Sequence, residues 1–168
     1  MFLETFCLSA LAATVLLFDG CTYSFRGASL PPGVHSVAVQ VFDDNSGFGD
    51  PNLRINLTNE LTQKLTTDNT LRVTNVSTAD AAVIGTVTNV NTQANAVQGN
   101  QQVSKWRITV SVSIKFENLK TQKNIWTKDF SNWGDYDPSA GPSNRDAGLT
   151  QAEGKLTDDI LLAIVTNW

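Results

Sequence analysis

Cysteine is nearly absent from this sequence. Of 168 residues only Cys7 and Cys21 carry a thiol, both near the start. Two cysteines so placed exclude a disulfide framework and a cysteine-ligated zinc site. Histidine is scarcer still: the single His35 lies in a turn and cannot build a multi-histidine metal centre. A basic excess is also missing. Twelve Lys and Arg against sixteen Asp and Glu give a net charge of −4, without the basic footprint of a nucleic-acid binder. No Gly-x-Ser-x-Gly elbow, Walker loop or Gly-x-Gly-x-x-Gly turn occurs. No motif implies a cofactor or a resident metal, and the chain has no internal repeat. These absences point away from an enzyme and towards a binding or assembly module. The length suits one domain, large enough to bury a core without staples.

What is present begins at the N-terminus. Residues 5–18, TFCLSALAATVLLF, form an uncharged and mostly apolar run. It is short for a membrane span, which needs roughly 20 residues, and suits the apolar region of an export signal. Asp19, Gly20 and Cys21 follow directly. A glycine before a cysteine after such a run resembles a bacterial lipoprotein signal, in which the chain is cut before the cysteine and the thiol is diacylated. The expectation is a signal peptide over residues 1–20, a lipid-modified Cys21 such as a palmitate-bearing cysteine, and one domain over 21–168. Each buried methylene of such a chain contributes about 0.8 kcal/mol to membrane anchoring.

The remaining pattern alternates sheet and helix. Val37, Val39 and Val41 fall on one face of a first strand, which ends in the turn-rich segment 43–50. Asp50 and Pro51 read as a cap and first residue of a helix of about 15 residues, striped by Leu53, Leu57, Leu61 and Leu65. Leu71 to Val73 suggests a short strand, and residues 81–90 a long one. The polar segment 91–102 suits a hairpin, with its turn at Gly99-Asn100. The clearest signal follows: Trp106, Ile108, Val110, Val112, Ile114 and Phe116 alternate with Lys105, Arg107, Thr109, Ser111, Ser113 and Lys115, an antiparallel strand with one buried and one wet face. Residues 124–131 form the next strand, 132–145 a Pro/Gly loop, and Leu149, Ala152, Leu156, Ile160, Ala163 and Ile164 a helical stripe from Asp146 onward. The predicted class is α+β: a two-layer α/β sandwich whose mostly antiparallel sheet of four to five strands is covered by two helices.

Three clusters carry candidate chemistry. Asp43, Asp44 and Asp50 lack the spacing and late glutamate of a calcium loop, and read as a solvated turn ending in a helix cap. Asp135 and Asp137, flanked by Trp133 and Tyr136, have the residue types of a glycosidase pair but no partner motif. Lys105, Arg107 and Lys115 line the wet face of the long strand, with Lys128 expected on the same face from the neighbouring strand. Such a stripe suits phosphate groups of a lipid or glycolipid.

Cys21-Thr22-Tyr23-Ser24-Phe25, Gly27, Leu30-Pro31-Pro32-Gly33-Val34 and the valine strand, taken in order, resemble the start of the LptE family of lipopolysaccharide-assembly lipoproteins of gram-negative bacteria. The Pro51 helix, Ala79-Asp80-Ala81 leading into Val83-Ile84-Gly85, and Trp106-Arg107-Ile108-Thr109-Val110 extend the resemblance over most of the chain. It implies a lipid-anchored protein on the periplasmic side of the outer membrane. Such a protein plugs and helps assemble the LptD β-barrel for lipopolysaccharide transport, with lipopolysaccharide itself as a ligand. Some members place a basic residue near the hairpin tip. Here the tip reads Val97-Gln98-Gly99-Asn100, so Lys105, Arg107 and Arg145 are the candidate lipopolysaccharide contacts. The competing expectation is a stand-alone periplasmic lipoprotein that binds a small amphiphile or cell-wall component.

Overall fold

The computed structural model describes residues 30–97 and 103–166; the signal segment, Cys21 and the Gly99-Asn100 turn lie outside them. Six strands and two helices follow in the order β1 (Ser36–Val39), β2 (Asp43–Asp44), α1 (Pro51–Asp68), β3 (Arg72–Val73), β4 (Ala81–Val97), β5 (Val103–Asn118), β6 (Lys123–Tyr136) and, after a 3-10 turn at Pro138–Ala140, α2 (Pro142–Thr166). One sheet is ordered β3-β1-β4-β5-β6, with β2 also on the β4 edge. β4, β5 and β6 form an antiparallel meander, whereas the short pieces β1, β2 and β3 pair in parallel. Both helices lie on one face. The expected two-layer α+β class is therefore present, with a mixed sheet whose three long strands are antiparallel.

Local chemistry sets each helix. Asp50 caps α1 by accepting the Asn52 amide at 2.9 Å, and Pro51 occupies the first helical position, where its missing N–H costs nothing. At the other end Asn69 turns left-handed (φ 59°) and donates its amide to the Leu65 carbonyl. Leu53, Leu57, Leu61 and Leu65 are all at most 1% exposed. Fully burying a leucine stabilises by about 1.5–3 kcal/mol, so this stripe fixes α1 on the sheet. Leu149, Ala152, Leu156, Ile160 and Ile164 do the same for α2. They meet Ile108, Val110, Val112, Ile114 and Phe116 of β5 in one continuous core.

Several boundaries differ from the sequence reading, each for a physical reason. The first strand breaks after Val39: Val41 is 59% exposed and Phe42 fully buried, so the valine alternation loses its phase. Phe42 enters the core above Gly85, where any Cβ would lie 2.3 Å from its ring. Its amide donates to Thr58 Oγ1 of α1 at 3.0 Å. The polar segment expected as a hairpin loop is mostly strand, since β4 runs on to Val97 and β5 starts at Val103. There the backbone ladder holds the chain extended without an apolar face. β6 continues to Tyr136, into the expected loop of 132–145, and α2 begins at Pro142 rather than Asp146, so the loop shrinks to 137–141. The extension rests on close packing: Gly134 sits against the backbone of Gly148 in α2.

The start of the sheet is locked by Asp80. One carboxylate oxygen accepts the His35 and Ser36 amides and the Ser36 hydroxyl (2.8–3.0 Å), and the other pairs with Lys120 from the β5–β6 turn. Ser36 Oγ in turn accepts the Asp80 amide. These contacts hold the Asp80 carboxyl far below the usual carboxylate range, the hydrogen bond from Lys120 contributing most.

Candidate functional site

Among the described residues the helices cover one face of the sheet and leave the other open. On β5 the odd residues Arg107, Thr109, Ser111, Ser113 and Lys115 face away from the core, opposite Asp135, Trp133, Ser131, Asp129 and Thr127 of β6. On β4 the partners are Gln93, Asn91, Asn89, Thr86 and Ile84. This face is polar along nearly its whole length; the Ser111 and Ser131 hydroxyls meet at 3.0 Å, and Thr88 Oγ1 donates to the Ser111 carbonyl.

Charge and aromatic surface gather where the open face approaches the β4–β5 hairpin. Arg107 binds Asp135 with both ends of its fork, Nε to Oδ1 at 2.8 Å and Nη2 to Oδ2 at 3.1 Å. The same guanidinium lies 4.9 Å from the Trp133 ring centre. Lys155 reaches from α2 to 5.2 Å from that ring and donates to the Trp133 carbonyl at 2.9 Å. Two cations thus hold an indole that remains 41% exposed. The Asp135 amide is taken by Gln151 Oε1 of α2 at 3.2 Å, so helix side chains occupy part of the β6 edge.

Electrostatics follow this geometry. The hydrogen bond from Arg107 pulls the Asp135 carboxyl below its ordinary range and raises the guanidinium above its own, with Lys105 and Lys155 adding to the pull on Asp135. Asp137 is lowered by the Ser139 hydroxyl and amide, which it accepts at 2.6 and 2.8 Å as the cap of the 3-10 turn. Both carboxyls are held as anions. A glycosidase pair needs one partner raised to act as the acid, and neither is. Asp44 accepts the Ser46 amide and hydroxyl, and with the Asp50 cap this gives that acidic cluster local structural partners.

The candidate ligand contacts separate into two places. Lys105 and Arg107 share the open face at the hairpin end of β5. Arg145 lies in the first turn of α2, in the other layer, with its guanidinium 4.7 Å from the Phe48 ring centre. Lys128 is not on the open face: it pairs with Ile114 and so points to the helix side, 5.1 Å from the Trp126 ring centre. Trp133, Gln151 and Lys155 were missed as members of the site. The signal for Trp133 was its even spacing from Asp135, which puts both on one strand face once β6 is carried past Gly134. Lys155 and Gln151 carry no local signal, because the helix brings them to the sheet edge. Among the described residues no helix is long and apolar enough to cross a membrane.

Solved structures share this architecture. A Xanthomonas campestris protein matches with a TM-score of 0.58 at 12% identity, covering 81% of this chain and 89% of that one. The PelC dodecamer of Paraburkholderia phytofirmans matches with a TM-score of 0.54 at 12% identity, over 80% and 90%. A minor lipoprotein of Acinetobacter baumannii matches with a TM-score of 0.52 at 12% identity, over 79% and 93%. At these identities the likeness is one of fold. A comparison with curated protein sequences found no match. The lipopolysaccharide-assembly family model, LptE, matches residues 34–164, a span from just before β1 to the last turn of α2, and the chain belongs to that family.

Proposed function

We propose that this protein is a lipid-anchored, non-enzymatic partner of an LptD-type outer-membrane β-barrel, which it plugs and helps to assemble for lipopolysaccharide transport. Family membership over residues 34–164 supports the general role. The observation that carries the plug is the open polar sheet face running into a long polar hairpin. A face of Ser, Thr, Asn and paired charges, with no helix over it among the described residues, suits the water-filled interior of a large barrel, whose lumen is polar.

Anchoring through Cys21 supplies the outer-membrane, periplasmic-side location in this reading. Lipopolysaccharide is the second partner, with its phosphates directed to Lys105 and Arg107 on the open face and to Arg145 at the helix layer. The competing small-amphiphile reading asks for an apolar pocket. The groove between the two helices, lined by Glu60, Gln63, Lys64, Thr67, Asp68 and Leu161, is open to solvent rather than closed.

The test is affinity capture of C-terminally tagged protein from native outer membranes, with mass spectrometry of the eluate. A stoichiometric large β-barrel is the expected result. Recovery of the protein alone under detergent conditions that keep other barrel complexes intact would overturn the plug.

A further inference from the structure

The contact between α1 and α2 carries a buried acid that no cation pairs with among the described residues. The helices run in the same direction, and Glu60 and Lys64 of α1 meet Gly154 and Asp158 of α2. Lys64 is fully engaged there: it donates to the Gly154 carbonyl and to Asp158, both at 2.6 Å, and pairs with Glu60 at 3.4 Å. One residue before Gly154, Glu153 is only 3% exposed, and its Oε1 has no hydrogen-bond partner. The groups that act on it from α1 and its cap are the carboxylates Glu60 and Asp50, which oppose its ionisation, and the Asn56 side chain, whose hydrogen bond favours it. The neighbours of Glu153 on α2, Ala152 and Leu156, belong to the hydrophobic core. Burial first, then these two like charges, push the Glu153 carboxyl up to about 7.

We propose that Glu153 is a proton-dependent latch between the two helices, closing the α1–α2 contact when neutral and loosening it when ionised. The adjoining groove of about 450 Å³, lined by Glu60, Gln63, Lys64, Thr67, Asp68 and Leu161, lies in the same interhelical seam and opens with it. Among the described residues the cation of the seam is Lys64, which already serves two acids and a carbonyl. The helices therefore separate towards water rather than bury the charge. The opening therefore grows between the ordinary carboxyl value of 4.5 and about 7 and levels off above it.

Hydrogen exchange with mass spectrometry, corrected for intrinsic rates, tests this on the folded domain at several pH values from 5 to 8. In the native protein, protection of the seam segments 60–68 and 154–165 falls as pH rises, with the local opening constant growing by up to about tenfold per pH unit. In Glu153→Gln it stays flat, while β4 and β5 show no change in either protein. Glu60→Gln, which removes a like charge and so makes the ionised Glu153 cheaper to keep in the closed seam, reduces the pH-dependent loss of protection. Equal pH dependence in the native protein and Glu153→Gln, or seam protection independent of pH in the native protein, would overturn the latch. Should Glu153→Gln fail to fold, a smaller pH-dependent loss of seam protection in Glu60→Gln than in the native protein supports the latch, and an equal or larger loss overturns it.

Discussion

A Cβ placed on Gly134 would lie 1.9 Å from the carbonyl oxygen of Gly148. Strand β6 and helix α2 therefore touch backbone to backbone at this point. The contact seats α2 so that Gln151 and Lys155 reach the β6 edge around Trp133 and Asp135. Gly134→Ala must push the helix off the strand. The expected cost is about 3 kcal/mol, at the upper end for overpacking, read as a lower urea midpoint. An unchanged midpoint would show that the helix yields freely, and the seating argument would fail.

Phe42 and Gly85 form a second fitted pair, in which the ring fills the space that a side chain at 85 would occupy. Phe42→Ala leaves a cavity beneath α1 and costs about 3–5 kcal/mol. Gly85→Ala forces the ring aside at about 1–3 kcal/mol. The double variant is expected to be less destabilised than the sum, by about 1–3 kcal/mol, because the added methyl then faces the cavity. Strict additivity in a denaturation cycle would contradict the fit.

Asp80 ties three parts of the chain together: the β1 entry at His35 and Ser36, the start of β4, and Lys120 in the β5–β6 turn. Asp80→Ala leaves buried donors without partners and is expected to cost about 3 kcal/mol or more. Its pH signature has a definite sign. The folded carboxyl is held below its ordinary 3.8, so its stabilisation is complete above that value and is lost as the pH falls below it. Asp80→Asn, unable to titrate, should show a flatter acid limb than the native protein in thermal melts between pH 2 and 5. Parallel curves would remove Asp80 from the account of acid unfolding.

Much of the fold was legible because its periodicities are long. Six apolar residues at every second position from Trp106 to Phe116 admit one reading, and five of them, from Ile108 on, are fully buried. The leucine stripe of α1 is as clear. The failures share a cause: a local signal outweighed by a partner distant in sequence. Gly134 reads as a loop residue until Gly148 is known to approach it. Val41 continues the valine alternation until Phe42, drawn over Gly85, turns the chain. The candidate site was legible only as the string Lys105, Arg107. Its fork to Asp135 and the indole between two cations depend on β6 register and on α2, and neither is written locally. Arg145 could be named from sequence, but its separation from Arg107 into the other layer could not.

That separation yields a prediction for ligand capture that follows from the proposed role. Lys105 and Arg107 act together on the open face, and Arg107 is held in place by Asp135 rather than free to swing. Lys105→Ala combined with Arg107→Ala should reduce lipopolysaccharide retained on the tagged protein by about tenfold, the scale of one lost charge-assisted hydrogen bond. The loss should shrink as salt is raised. Asp135→Ala leaves both cations present but frees the guanidinium from its fork, so a smaller loss is expected, with Trp133 more exposed to an aqueous fluorescence quencher. Arg145→Ala, whose side chain stacks on Phe48 in the helix layer, should have an effect that multiplies with the open-face pair instead of being absorbed by it. Retention that falls with Arg145→Ala and is untouched by the open-face pair would move the ligand to the helix layer. Equal retention in all of these variants would remove lipopolysaccharide phosphates from both places and leave the barrel as the partner to be explained.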